Sequence, residues 1–110
     1  PLVEALIAEI DGVAQGFAIF FKTFSTWTGK PGFWLDDLYV NPDARGSGAG
    51  TALLKAIAAL AVARGYKRFD WWVLDWNTPS IGFYKAMGAK AMDEWTVYRL
   101  DGDALDDVAR

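Results

Sequence analysis

Residues 39–51 read Tyr-Val-Asn-Pro-Asp-Ala-Arg-Gly-Ser-Gly-Ala-Gly-Thr: a strand ends, a turn follows, and three alternate glycines open a helix. Glycine lets the backbone approach a ligand closely, and the start of a helix presents N–H groups that lack intrahelical partners. Together with the helix dipole they suit an anion such as a pyrophosphate. Taken alone, the stretch fits a tight connection that binds nothing equally well. It is not a Walker loop, because Gly-Lys-Ser/Thr is absent, nor a Rossmann fingerprint, because an arginine stands where the first glycine is expected.

Three strands are expected before this loop. Residues 2–10 and 13–24 are β-prone runs on either side of Asp11-Gly12, a dipeptide that predicts a hairpin because its turn needs positive φ. Gly16, inside the second run, indicates a bulge or a close backbone approach. A third strand is expected from about Phe33 to Val40.

Helical spacing of apolar residues predicts a helix over residues 49–64, which Gly65 ends. The remaining elements are expected in this order: a strand over 68–74, a helix that starts at Asn77-Thr78-Pro79 and ends at Gly88, strands over about 89–92 and 95–100, and a polar tail with weak helical character. The order βββαβαββ describes one mixed α/β domain, residues 1–110.

The composition excludes several classes of chemistry. The chain has no cysteine and no histidine, so disulfides, thiol nucleophiles, Cys/His zinc sites and Ser-His triads are absent, and we expect no metal. Proton transfer must then use carboxylates, Lys, Tyr or water. The absence of cysteine also fits a reducing compartment, and we expect a cytoplasmic protein.

Charge and hydropathy bear on the partners. The net charge is −3 and the basic residues are scattered, so we expect no nucleic-acid partner. No apolar run reaches the roughly 18 residues of a membrane span, and the start does not resemble a signal peptide, so we expect no membrane partner either. An acidic surface suits a cationic small molecule.

Two motifs together resemble a known family. Arg45-x-x-Gly48-x-Gly50 is similar to the Arg/Gln-x-x-Gly-x-Gly/Ala signature of the GNAT family of N-acetyltransferases. Residues 76–89, Trp-Asn-Thr-Pro-Ser-Ile-Gly-Phe-Tyr-Lys-Ala-Met-Gly-Ala, look like that family's second coenzyme segment. The resemblance covers residues 2 to about 100. It implies a mixed, mostly antiparallel twisted sheet with helices on both faces.

The resemblance also implies acetyl-CoA as co-substrate. The residues expected to contact it are Leu38, Tyr39, Val40, Arg45, Gly46, Ser47, Gly48, Ala49, Gly50, Thr51, Asn77 and Ser80. The family's usual first strand and two helices, which supply part of the acceptor wall, are not found here. Either the chain is a trimmed core or its acceptor side is open.

Tyr84 occupies the family position of the acid that protonates the leaving thiolate. The alternative is an aromatic side chain that only packs on its helix. A strand N–H near Leu38 could polarise the thioester carbonyl, as an oxyanion donor does.

Asp36 and Asp37 are the most informative acids. Neighbouring strand residues face opposite ways, and an inward carboxylate is expensive to bury unless it is paired or lines a cleft. A carboxylate in a cleft could bind a cationic amine or accept its proton, and Asp36 is the candidate for the second role. The alternative is that both aspartates face solvent. The segment Leu-Asp-Asp-Leu-Tyr-Val resembles the diamine (spermidine/spermine) branch, which implies substrate contacts by Asp36 and Asp37. Aromatic side chains next to carboxylates suit alkyl-ammonium groups through cation–π contacts, so Trp27 and Trp72 are further candidates for substrate binding. The alternative for the tryptophans is packing in the core or in a dimer.

The expected activity is acetyl transfer from acetyl-CoA to a primary amine of a polyamine, diamine or diamino acid, by a homodimer. Two alternatives stay open: a protein N-terminal or lysine acetyltransferase, and an acyl-CoA-binding module without activity.

Overall fold

In the computed structural model, which describes residues 2–110, the chain forms two compact units. The first ends at Trp72 and the second is Val73–Arg110. The first unit contains a four-stranded sheet in the order β1-β2-β3-β4. The predicted strands before the loop are confirmed. The four strands of the sheet are β1 Val3–Ile10, β2 Val13–Ser25, β3 Lys30–Val40 and β4 Phe69–Asp70.

The hairpin between β1 and β2 turns where the sequence predicts it. Asp11 and Gly12 have φ of 52° and 78°, so both central residues are left-handed. β3 pairs antiparallel with β2, whereas β4 runs parallel to β3.

Gly16 is needed because two backbones approach closely. A Cβ on Gly16 would lie 2.8 Å from the carbonyl oxygen of Tyr39. The pairing between β1 and β2 also shifts next to it, leaving Gln15 as an extra residue in β2. Both predictions for this glycine are confirmed.

The core lies between one sheet face and the helix α1, Ala49–Ala63. Leu54 and Ile57 of α1 are fully buried, as are Phe20 and Phe33 of the sheet. At the end of α1, Arg64 donates two hydrogen bonds to the Glu4 carboxylate, at 2.7 and 2.9 Å. The Arg64 hydrogen bond lowers the pKa of Glu4, and the pair ties the helix to β1.

The second unit is helical, with α2 at Thr78–Ala86 and α3 at Gly102–Ala109. The helical character expected of the tail is confirmed by α3. None of the helices within residues 2–110 is long and apolar enough to cross a bilayer.

Three strand predictions need correction. The strand expected over 68–74 is reduced to Phe69–Asp70, and residues 89–92 and 95–100 form no strand. A strand requires a neighbouring backbone for its N–H and C=O groups, and the second unit, Val73–Arg110, contains no strand that could pair with these segments. Their β-prone side chains stay in solvent, as at Tyr98, which is 93% exposed. The order in the described residues is βββαβαα.

Candidate functional site

Hydrogen bonds connect the glycine-rich loop to β2 and to the end of β3. The backbone N–H of Asn41 donates to the Gln15 carbonyl at 2.7 Å, and a short 3₁₀ turn follows over Pro42–Ala44. Arg45 Nε then donates to the carbonyl oxygen of Val40 at 3.2 Å. The arginine of the predicted motif therefore holds the loop against the strand.

Two glycines of the loop have a conformation that other residues avoid. Gly46 and Gly48 have φ of 87° and 91°, and nothing lies within 4 Å of a Cβ built on either. Gly48 is the N-cap of α1. The open space beside both glycines leaves room for a ligand against the backbone.

The first turn of α1 can accept an external anion. It contains no acidic residue, and no side chain of the N-cap residue caps it. The Ser47 hydroxyl accepts a long hydrogen bond from the Ala49 N–H, at 3.4 Å. The helix N-terminus carries a partial positive charge, so a pyrophosphate fits this turn by charge and by geometry.

β4 covers only a short part of the edge of β3. Among the described residues they pair only at Phe33↔Phe69 and Trp34↔Asp70, although β3 continues to Val40. The last residues of β3 pair on their other edge with β2, Leu38 opposite Ala18. One edge of β3 next to the loop thus has no partner from β4, and an extended ligand could add to it as a strand does.

A bulge in β3 holds the predicted acids. Ile19 pairs with Asp37 and Phe20 pairs with Leu35, so Asp36 is an extra residue without a partner opposite. Because of this bulge, the regular alternation of side chains along a strand does not determine which face of the sheet each carboxylate lies on. Asp37 shares the sheet face of Ile19, opposite to the face that buries Phe20. Both are exposed, and within residues 2–110 neither forms an ion pair.

The structure separates the two predicted substrate tryptophans. Trp72 contacts Trp34 edge to face, with ring centroids 5.1 Å apart, and Trp34 lies two residues before Asp36. Trp27 lies in the turn before β3 and is 88% exposed. At about 3.3 Å per strand residue, Trp27 is roughly 20 Å from the bulge. Trp72 is thus close to the acids and Trp27 is not.

The second unit carries the other predicted residues on α2. Asn77 is the predicted helix cap: its Oδ1 accepts the Ser80 N–H at 3.4 Å. Ser80 and Tyr84 are four residues apart and so lie on one side of the helix. Burial raises the pKa of Tyr84, which keeps its phenol protonated and able to donate a proton. The side chain is half-buried.

Two features of the site were not predicted. The bulge at Asp36 had a signal in the sequence, because the apolar positions of β3 change from odd-numbered Phe33 and Leu35 to even-numbered Leu38 and Val40 on either side of the two aspartates. The sequence contained no signal for the contact of Asn41 with Gln15, because a hydrogen bond between two polar residues far apart in the chain leaves no local pattern. Within residues 2–110 no group of side chains suited to a metal comes together.

The chain matches the acetyltransferase (GNAT) family over residues 2–89. It is 41% identical to an L-ornithine N⁵-acetyltransferase of Arabidopsis thaliana over 89% of the chain and 43% of that protein. It is 36% identical to a thialysine N-epsilon-acetyltransferase of Mus musculus over 99% of the chain and 70% of that protein. The chain thus spans less than half of the first relative.

Solved structures have the same fold. An integron cassette protein from the mobile metagenome of V. cholerae superposes with a TM-score of 0.89 at 30% identity, over 98% of this chain and 67% of that one. An aminoglycoside N-acetyltransferase in complex with CoA superposes with a TM-score of 0.78 at 25% identity, over 93% and 78%.

Proposed function

The chain belongs to the acetyltransferase (GNAT) family, and we propose that it transfers an acetyl group from acetyl-CoA to a primary amine of a small cationic molecule. The observation that carries the proposal is the loop from Arg45 to Gly50, whose left-handed glycines lead into an acid-free helix N-terminus. The relatives named above are N-acetyltransferases of ornithine and thialysine, which supports an amine as acceptor.

The first unit would bind the co-substrate along one path. The N–H groups of Gly46 to Thr51 would hold the pyrophosphate, and the free edge of Leu38 to Val40 would pair with the pantetheine arm. The bulge at Asp36 turns backbone groups out of the ladder, and an N–H near Leu38 would polarise the thioester carbonyl. On α2, Asn77 and Ser80 would contact the coenzyme.

The chemistry needs a base and an acid. Asp36 would take the proton of the amine, directly or through water, and the amine nitrogen would attack the thioester carbon. As the carbon–sulfur bond breaks, Tyr84 would donate its phenol proton to the leaving thiolate. Exchange with solvent would then reprotonate Tyr84 and remove the proton from Asp36. Asp37 and Trp72 would bind the cationic part of the acceptor. The expected homodimer and cytoplasmic location stay predictions.

A thiol-release assay over a panel of amines tests the proposal. We expect turnover with diamines and diamino acids, and less with mono-amines of similar length. Asp36→Asn or Asp37→Asn should lower kcat/KM for a diamine about ten- to a hundredfold, the effect of losing one charge-assisted contact. Glu9→Gln, which removes an exposed carboxylate from β1, is the matched control and should change nothing.

The panel also includes a peptide with a free N-terminus and a lysine peptide. If these are the better substrates, the small-amine proposal is wrong. If both aspartate variants keep the diamine preference, Asp36 and Asp37 are structural and do not recognise the acceptor. Binding of acetyl-CoA without turnover on any amine would instead indicate a binding module.

A further inference from the structure

A polar cleft of about 310 Å³ lies at the start of β3 and β4, within the first unit. None of the residues assigned to the proposed function lines it. It is lined by Phe24 and Gly32 and by the polar residues Thr23, Ser25, Thr26, Lys30, Arg68 and Asp70. A volume of this size accommodates a small ligand or the head group of a larger one.

Strand register places the cleft on the same sheet face as Asp37. Thr23 pairs with Gly32 and Ser25 pairs with Lys30, two positions apart along each strand. Trp34, two residues after Gly32, pairs with Asp70 on its other side. Residues that alternate along a strand share a face, so the cleft, Trp34 and Asp37 lie on the face away from α1.

Gly32 makes the cleft possible. A Cβ on Gly32 would lie 2.7 Å from the carbonyl oxygen of Arg68, and that oxygen accepts the Phe33 N–H at 2.9 Å. A side chain at position 32 would therefore push β4 away. The glycine lets Arg68 lie directly beside β3, which brings its guanidinium to the residues of the cleft.

The charged groups of the cleft are free to bind a ligand. Lys30, Arg68 and Asp70 are exposed, and within residues 2–110 none of their side chains forms a hydrogen bond or ion pair with another residue. Two cations and one anion give the cleft a local charge of one positive unit, in a chain whose net charge is −3. Such a set suits a carboxylate next to an ammonium group better than a second cation.

The spacing to the acids suits a short acceptor. Asp70 lies across from Trp34, and Asp36 lies two residues farther along β3. With about 3.3 Å per residue and about 4.8 Å between strands, Asp70 and Asp36 are roughly 8 Å apart. The edge-to-face pair of Trp34 and Trp72 lies beside this path, and aromatic rings suit an aliphatic chain.

We propose that this cleft holds the zwitterionic head group of a diamino acid, whose terminal amine then reaches the acids of the bulge, Asp36 and Asp37. Lys30 and Arg68 bind the α-carboxylate and Asp70 binds the α-ammonium. The inference rests on the proposed function and deepens it, because it selects diamino acids over polyamines as the acceptor class.

The test compares kcat/KM for ornithine with that for 1,4-diaminobutane, which is ornithine without its carboxylate. The parent protein should prefer ornithine. Lys30→Gln and Arg68→Gln should each lower kcat/KM for ornithine about ten- to a hundredfold, and leave the value for the diamine nearly unchanged. Lys22→Gln, an exposed lysine on the other face of β2, is the control and should not alter the ratio.

A parent that prefers the diamine, or a ratio that neither cleft variant changes, overturns the inference while amine acetylation stands. If the parent protein neither binds acetyl-CoA nor acetylates any amine, the proposed function fails and the inference fails with it. Equal melting temperatures of the parent and each variant show that a loss of activity is not a loss of folding.

Discussion

At the scale of single residues, Tyr84 differs from an ordinary surface tyrosine in its environment. It is half-buried on α2, and removal from water disfavours the charged phenolate, which raises its pKa. A higher pKa keeps the proton on the oxygen over a wider pH range. The protonated phenol is then available to donate to the sulfur as negative charge develops on it, which is the role of a general acid in the transition state.

Tyr84→Phe should lower kcat about a hundredfold or more and change the KM for acetyl-CoA little, because general acid catalysis acts in the transition state. In the parent, the acid must be protonated, so kcat should fall only as pH rises above the ordinary tyrosine value of 10.0 towards the raised pKa. The kcat of the Tyr84→Phe variant should not show this fall at high pH. Steady-state kinetics across pH measures both effects.

Tyr98→Phe is the matched control, since Tyr98 is 93% exposed and has no proposed role. It should behave like the parent. Equal kcat for the parent and Tyr84→Phe would assign Tyr84 to packing.

At the scale of elements, α1 packs on the sheet through one side, and its first turn is the proposed binding site of the coenzyme pyrophosphate. Gly48 at its start and Gly65 after its end both have positive φ, 91° and 74°. A Cβ at either position meets nothing within 4 Å, so the cost of a substitution comes from the backbone. The two glycines thus form a matched pair at opposite ends of one helix.

Gly48→Val should abolish acetyl-CoA binding in calorimetry, because the new side chain fills the space beside the helix N-terminus and the loop must change its conformation. Gly65→Val should carry a similar backbone strain, about 1–3 kcal/mol, and leave the affinity for acetyl-CoA unchanged. Thermal unfolding checks that both variants fold. Unchanged affinity in Gly48→Val would show that the coenzyme does not bind at this loop.

Elements with local signals could be predicted from the sequence, and those that depend on a distant partner could not. The Asp11-Gly12 hairpin and the Asn77 cap are decided within a few residues, and both are confirmed. Residues 95–100 have β-prone side chains, but propensity does not supply the neighbouring strand that a ladder requires. The cleft depends on Gly32 and Arg68, which come together only in the folded sheet.

At the scale of the whole molecule, the buried core belongs to the first unit. Among residues 2–110, the buried hydrophobic side chains lie between Ala18 and Ala61, and α2 and α3 contain no buried residue. Apolar burial supplies most of the free energy that opposes chain entropy. The stability of the protein should therefore depend on the contact of α1 with the sheet, and little on the second unit.

Leu54→Ala tests this dependence, because Leu54 is fully buried on the side of α1 that faces the sheet. Removing its side chain leaves a cavity that the close-packed core fills only in part, so the free energy of unfolding should fall by about 2–5 kcal/mol. Val62→Ala is the control on the same helix; Val62 is 77% exposed, and its truncation should change stability by less than about 0.5 kcal/mol. Urea unfolding of the parent and both variants measures the differences, with equal m-values showing that the transition itself is unchanged. A loss below about 1 kcal/mol in Leu54→Ala would mean that α1 does not hold the sheet together, and that stability must come from elsewhere in the chain.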